Sequence, residues 1–595
     1  MLMFGLGESV LLVWEDGHAV RYDTRDLTKP RLAEELDLLA DPQLRITAAQ
    51  FMIGRATLLV GDSSGQVHAW FRTKPPQARS SDGAVLVSAH HLSGGPAAVT
   101  RMAVSSRGRV AAAGYSDGAI RLFQVTTGKL LAQVSAPAKA SIDALAIAPK
   151  DDALVGLAEA GLSLWDINMR HPEAGLAALF LPVWYEEYPR PEHVWQTSSG
   201  SQATEPKFGL MPLVFGTLKA TSYSMLFGAP MALLAAVYSS EFLHPRAKAR
   251  IKPTIELMAS LPSVVLGFLA ALVFAPFVEQ HLAATIVSLL TVPLAFLFSA
   301  HAWQLFPQWL ALRLARWRFA CMLLLALPLG ILAGRWFGPW VERWLFAGDI
   351  RGWLDGQVGG ATGGWLLLFL PLSGVATLLI GREVNSWLRR HSRDWSRSAS
   401  AITDLVKFAA GVLLTLAMAL FFSFALASLR IDARGSLIDT YMQRNALVVG
   451  LVMGFAIIPI IYTIADDALS TVPTHLRSAS LGAGATPWQT AVRIVIPTAM
   501  SGLFSAVMIG LGRAVGETMI VLMAAGSTPI MDMNIFNGFL TLSANIATEL
   551  PEAARNSTHY RILFLSGLTL FGLTLIINTV AELVRQRFRR RAYEL

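Results

Sequence analysis

The chain has 595 residues, of which 53% are hydrophobic and 15% charged, with a formal net charge of +8 and a single cysteine, Cys321. This excludes an ordinary soluble globular protein and any intrachain disulfide framework. The positive charge does not point to nucleic acid, because many of the bases lie in short loops between apolar runs, where they mark the cytoplasmic side of a membrane.

Residues 1–180 form the first region. It shows no secretory signal, since Met1 to Tyr22 reads as strand and turn. A unit repeats along it: a short apolar strand, a Gly turn, then an alternating strand ending in an aromatic residue. The turn glycines are Gly17, Gly65, Gly118 and Gly161, which are 48, 53 and 43 residues apart. The strands before the last three turns are Thr57–Gly61, Val110–Gly114 and Ala153–Gly156. The period and the closing aromatic resemble WD40-type propeller blades. Four units are few for a closed propeller, so the domain is expected to be incomplete at its N-terminus.

Leu92-Ser93-Gly94-Gly95 spells the signature tetrapeptide of ABC ATPases. It sits among β repeats, and the chain contains no GxxxxGK[ST] loop to cradle phosphates. It reads as a loop coincidence, so the chain itself is not expected to hydrolyse ATP.

A linker, 181–207, leads to nine apolar runs long enough to cross a bilayer, near 209–238, 255–279, 284–306, 319–340, 365–381, 401–428, 445–465, 499–525 and 561–583. Basic clusters follow alternate runs: Arg246, Lys248, Arg250 and Lys252; Arg313, Arg316 and Arg318; Arg389, Arg390, Arg393 and Arg397; Arg585, Arg587, Arg589, Arg590 and Arg591. These loops and the C-terminus are therefore expected in the cytoplasm, and the β domain outside. Exporting that domain calls for one more span upstream of Met1.

Residues 470–498 lie between the seventh and eighth runs and have a helix–glycine–helix grammar. Pro473 can open the first helix, Gly482 and Gly484 can stop it, and Thr486 can cap a second helix with Pro487 in its first turn. Trp488 and Val492 share a face, and Pro497 is expected to end the element. The stretch resembles the EAA loop of ABC importer permeases, through Ala479, Gly484, Ala485, Thr486, Trp488 and Pro497. The resemblance implies coupling helices that dock on an ATPase. Ser478 stands where that family has Glu, and Ser480 where it has its second Ala, so docking is expected to rely on shape, backbone and Trp488. A DNA-binding helix-turn-helix is disfavoured, because Arg477 and Arg493 are too few to neutralise many phosphates.

The eighth run contains Leu511-Gly512-Arg513-Ala514-Val515-Gly516-Glu517-Thr518-Met519. Charges near the middle of a span need a cavity or a partner, and a spacing of four puts Arg513 and Glu517 on one helix face. They suit a self-neutralising pair and an oxyanion contact equally well, a guanidinium matching phosphate or sulfate bidentately. The stretch resembles the motif after the EAA loop in Pst-type phosphate permeases of the C type, as do Phe215-Gly216-Thr217-Leu218 and Ser260 to Gly267. That resemblance favours the anion role.

The resemblance implies a polytopic α-helical membrane protein with the type I ABC importer permease fold and an N-terminal all-β, propeller-like domain. Its core would be 208–282 and 445–595, with 283–444 an insertion of about four spans. The implied function is inner-membrane phosphate import, together with a second permease, two ATPase subunits carrying the ATP, and an extracytoplasmic phosphate-binding protein. The chain itself would bind no cofactor or metal. Sulfate or molybdate would suit the same chemistry. A membrane-anchored interaction protein would need neither the intramembrane charges nor the two-helix loop, and no metal cluster or nucleophile motif supports an enzyme.

Overall fold

The computed structural model describes every residue except 6, 76–77, 79, 198–204, 315–316, 392–394, 436–437 and 594–595. Arg316, Arg393, part of the linker, and the side chains of Arg389, Arg390 and Arg589 to Arg591 lie outside the described residues. The chain divides into two compact units. One comprises Met1–Phe215 with Asn545–Leu570, the other Gly216–Ala544 with Phe571–Leu595.

In the first unit each repeat forms one antiparallel sheet. The first three sheets have four strands in sequence order and the last has three. In the second sheet Thr57–Asp62 is paired on both sides, and in the third Val110–Tyr115 is. Both strands are buried at every position, which explains their continuous apolar character. Successive sheets share apolar clusters: Leu11, Leu58 and Val60, then Leu59, Val99 and Phe123, then Ile120, Ile142 and Leu154. Gly61 and Gly114 admit the next sheet closely, since a Cβ on them would stand 2.7 Å from Val99 and 2.8 Å from Ile142.

The ATPase-like tetrapeptide is a loop between the second and third sheets. Leu92 ends a strand, Gly94 N donates to Gln66 at 3.2 Å, and Arg121 donates to the Ser93 and Gly94 carbonyls.

The membrane part has nine helices, among the described residues, that are long and apolar enough to span, and all nine expected runs are found. We label the helices used below α1 (Met211–Glu241), α2 (Pro245–Ala259), α3 (Ser263–Gln280), α4 (Leu282–Gln304), α5 (Arg318–Leu345), α6 (Thr362–His391), α7 (Arg397–Ser428) and α8 (Ala446–Ser470). After them come α9 (Thr474–Gly482), α10 (Pro487–Gly516), α11 (Met519–Ala524), α12 (Leu542–Glu549) and α13 (Thr558–Tyr593). Residues 283–444 contain two helix pairs, α4 with α5 and α6 with α7. The first pair closes through small residues, as membrane helices do where lipid supplies no hydrophobic drive. Gly330, Gly334 and Gly338 of α5 lie against Val292, Ser288 and Ala284 of α4.

Candidate functional site: a coupling loop and a broken helix

The loop 470–498 adopts its expected helix–glycine–helix form. Pro473 caps α9, whose last turn is closed by Ala483 N to Ala479 O at 3.0 Å and Gly484 N to Leu481 O at 3.0 Å. Gly484 has φ +86°, a left-handed backbone that favours glycine after a helix. Thr486 and Gln489 form a reciprocal capping box, with Gln489 N to Thr486 Oγ1 at 3.2 Å and Thr486 N to Gln489 Oε1 at 2.9 Å. The hydroxyls of Ser480 and Thr490 join the two helices at 2.9 Å. Ser478, Ala479 and Thr486 are exposed, and Ala485 is half-buried. Leu481, Trp488 and Val492 are exposed apolar side chains on the same loop, Trp488 at 59%.

Pro497 does not end the element. The helix runs unbroken from Pro487 to Gly516 through a π-helical segment, Ala491–Val495. A proline inside a regular helix clashes with the carbonyl four residues back, and the wider turn directly before Pro497 relieves that clash. The second helix of the loop is therefore continuous with the eighth span.

The pair Arg513 and Glu517 also differs from expectation. Glu517 is the C-cap of α10, with φ −67° and ψ 126°, so the helix stops at the pair instead of continuing past it. Gly512 and Gly516 lie beside the break, where helix propensity is low. The break separates α10 from α11, so the two charges lie at the end of α10 rather than in the middle of a straight span. The Glu517 carbonyl accepts from Ser543 Oγ at 3.0 Å, and its carboxylate faces Ile520 N at 3.5 Å. Arg513 is exposed and has no hydrogen bond or ion pair among the described residues.

One intramembrane ion pair was not foreseen. Lys219, in the first third of α1, is fully buried, and its Nζ stands 2.9 Å from Asp532 Oδ1. Asp532 also accepts from Asn537 Nδ2 at 2.7 Å and Asn534 N at 3.1 Å. It belongs to an irregular segment, 525–541, that follows α11 and is buried at Asn534, Phe536 and Phe539. Non-helical backbone at membrane depth is tolerated only where protein buries it or a cavity takes it up. Thr217 Oγ1 accepts from Leu542 N at 3.1 Å, so α1 holds the far end of the same segment. The available signal was a lone lysine directly after Phe215-Gly216-Thr217-Leu218.

Residues 373–592 match the family model for the binding-protein-dependent transport system inner membrane component. The chain is 36% identical over 149 residues to the phosphate transport system permease protein PstC 1 of Mycobacterium tuberculosis, covering 24% of this chain and 44% of that protein. A PstC from Mesorhizobium japonicum is 35% identical over 141 residues, covering 24% and 43%. The chain thus spans less than half the length of these relatives. PstA 1 of Mycobacterium tuberculosis is 30% identical over 261 residues, covering 43% of this chain and 79% of that protein. Both permease types are therefore matched, the C type at higher identity and the A type over more of its length. Among solved structures, that of the mitotic checkpoint complex is 15% identical, covers 28% of this chain and 47% of the matched chain, and has a TM-score of 0.22, too slight a likeness for a conclusion about the fold. The capped two-helix loop, the nine spans and the relatives agree: the chain is a multi-pass membrane protein that belongs to the binding-protein-dependent transport system inner membrane components, with the phosphate transport system permeases.

Proposed function

We propose that this chain is one of two permease subunits of an ATP-driven importer of inorganic phosphate. The carrying observation is Arg513: an exposed guanidinium at a break in a spanning helix, without a partner among the described residues, in a chain related to phosphate permeases. An unpaired cation in a span is costly unless it faces a cavity or a partner, and a passing phosphate meets that need. Glu517, at the end of the same helix, orients Arg513 or eases release of the anion. Ser478, Ala479, Gly484, Ala485, Thr486, Trp488 and Pro497 form or support the surface that docks on an ATPase subunit. ATP is bound there, and an extracytoplasmic phosphate-binding protein delivers the substrate.

On our reading the coupling loop and the C-terminus lie in the cytoplasm, which the basic loops support. On that reading, and with nine candidate spans among the described residues, residues 1–180 lie outside as an addition to the permease core and 283–444 is an insertion. The continuity of α10 links docking to transport, because the helix that starts in the coupling loop at Pro487 also carries Arg513.

Radiolabelled phosphate uptake by phosphate-starved cells tests the reading. Arg513→Gln is expected to lower uptake by at least about tenfold, the cost of a lost charge-assisted bond. Unchanged uptake at normal protein level removes the role of Arg513. Loss of sulfate rather than phosphate uptake on gene deletion overturns the substrate.

A further inference from the structure

The coupling loop has two helices, and only the second continues into a span. The first, α9, ends at Gly482 and is tied through the backbone to the end of the seventh span but to no other span, so its route to the first two spans is through side chains. Arg477, in its first half, makes the link. Its guanidinium donates to Glu241 Oε1 at 2.9 Å, to Val472 O at 2.7 Å and to Leu469 O at 2.8 Å. Glu241 is the last residue of α1, and its side chain is only 9% exposed. One planar group thus joins α9 to the first span and to the end of the seventh.

A second set of charges extends the link. Lys248 and Lys252 of α2 reach Asp466 at 2.7 and 3.4 Å, and Lys252 reaches Asp467 at 2.6 Å. Asp466 is buried in the last turn of α8, a place where the helix dipole disfavours acids unless bases answer them. Tyr462 OH donates to Ser239 Oγ at 2.7 Å one turn deeper. α2 leads through Ser260, Leu261 and Pro262 into α3, the second span.

We propose that Arg477 is a positioning residue that transmits ATPase closure from α9 to the first two spans through Glu241. The coupling loop then has two outputs: a covalent one through α10 to Arg513, and an ionic one through Arg477 to α1, with the Lys248 and Lys252 contacts carrying α2 and α3 along. Relative motion of the two outputs opens the pathway. This rests on the importer reading above.

The test uses the complete transporter in proteoliposomes, with phosphate accumulated and ATP hydrolysed measured on the same vesicles. Glu241→Gln and Arg477→Gln are each expected to lower phosphate moved per ATP by at least about fivefold, within the usual range of coupling between sites, while ATP turnover stays within about twofold. The double variant is expected to be no worse than the worse single, since both act through one contact. Glu241→Gln keeps the side chain's shape and leaves the carbonyl bonds of Arg477 in place, so it reports even if Arg477→Gln fails to assemble. An unchanged ratio in Glu241→Gln, or single losses that multiply in the double, overturns the inference. Wild-type vesicles that hydrolyse ATP but accumulate no phosphate overturn the importer reading itself.

Discussion

Lys219 and Asp532 lie 313 residues apart in sequence and 2.9 Å apart in space, and their contact fixes the irregular segment 525–541 against the first span. The lysine side chain has no exposure and the aspartate 23%. Burial penalises the ammonium, and the carboxylate offsets that penalty, so removing one partner costs more than removing both. Lys219→Met is expected to destabilise the protein by about 2–3 kcal/mol, less than for a wholly buried pair because Asp532 retains some water. Lys219→Met with Asp532→Asn is expected to recover part of that, since the amide oxygen still accepts from Asn534 N and no charge is left unpaired, while the bond from Asn537 is lost. Heating detergent-solubilised protein and following the monodisperse fraction measures both. A double variant no better than Lys219→Met shows that the pair is not the source of the cost.

The spans were legible because each is a run of apolar residues, and the coupling loop because Pro473, Gly484, Thr486 and Pro487 are local signals that need no tertiary help. The β repeat was legible through its turn glycines. The end of the helix at Glu517 was not, because the Glu517 carbonyl is taken up by Ser543, 26 residues on in the sequence. Pro497 misled for a similar reason: its clash is relieved by a π-helical segment that leaves no mark on composition. Lys219 could be noticed in sequence, but not its partner, since Asp532 lies in a segment with no periodicity.

Thr486 illustrates a local signal with a consequence at a distance. Its hydroxyl and the Gln489 amide cap the helix that runs to Arg513. Thr486→Ala is expected to cost about 1 kcal/mol. Because the cap sits at the exposed end, this is expected as weaker ATPase docking rather than loss of fold, with Thr486→Ser retaining wild-type behaviour. The measurement is ATPase subunit retained on the affinity-purified permease as salt is raised. Equal retention in Thr486→Ala and wild type refutes it.

The contact of α4 with α5 depends on the absence of side chains along one stripe. A Cβ at position 334 would stand 2.0 Å from Ser288 Oγ and 3.0 Å from Ser288 Cα. Gly334→Ala therefore needs Ser288 to change rotamer and is expected to cost about 1 kcal/mol, whereas Gly334→Ile needs the helices to part and is expected to cost about 3 kcal/mol or more. Thermal unfolding of the detergent-solubilised protein measures both costs, and Gly334→Ile no less stable than Gly334→Ala means that the helices meet elsewhere.

Glu205 gives the β domain a pH dependence. Burial pushes its carboxyl up from the ordinary 4.5 to about 7, against the pull of the Arg109 charge and of Thr126, whose hydroxyl lies 2.7 Å and 2.8 Å from the two oxygens. Nearby, Arg109 is already engaged by Glu186, which limits what it offers Glu205. A carboxyl that titrates higher in the folded state favours folding while protonated. Its contribution is complete below pH 4.5, declines as pH rises, and is gone once pH has passed about 7. The difference is worth roughly 3 kcal/mol across that window. Glu205→Gln keeps a hydrogen-bonding group at Thr126 without a charge to bury, so it is expected to match wild type near pH 4.5 and to melt roughly 5–10 °C higher at pH 8. Scanning calorimetry of the full-length protein in detergent at several pH values gives the wild-type-minus-variant difference, in which other titrating groups cancel. A difference that stays constant with pH would mean that Glu205 is ionised in the folded state throughout.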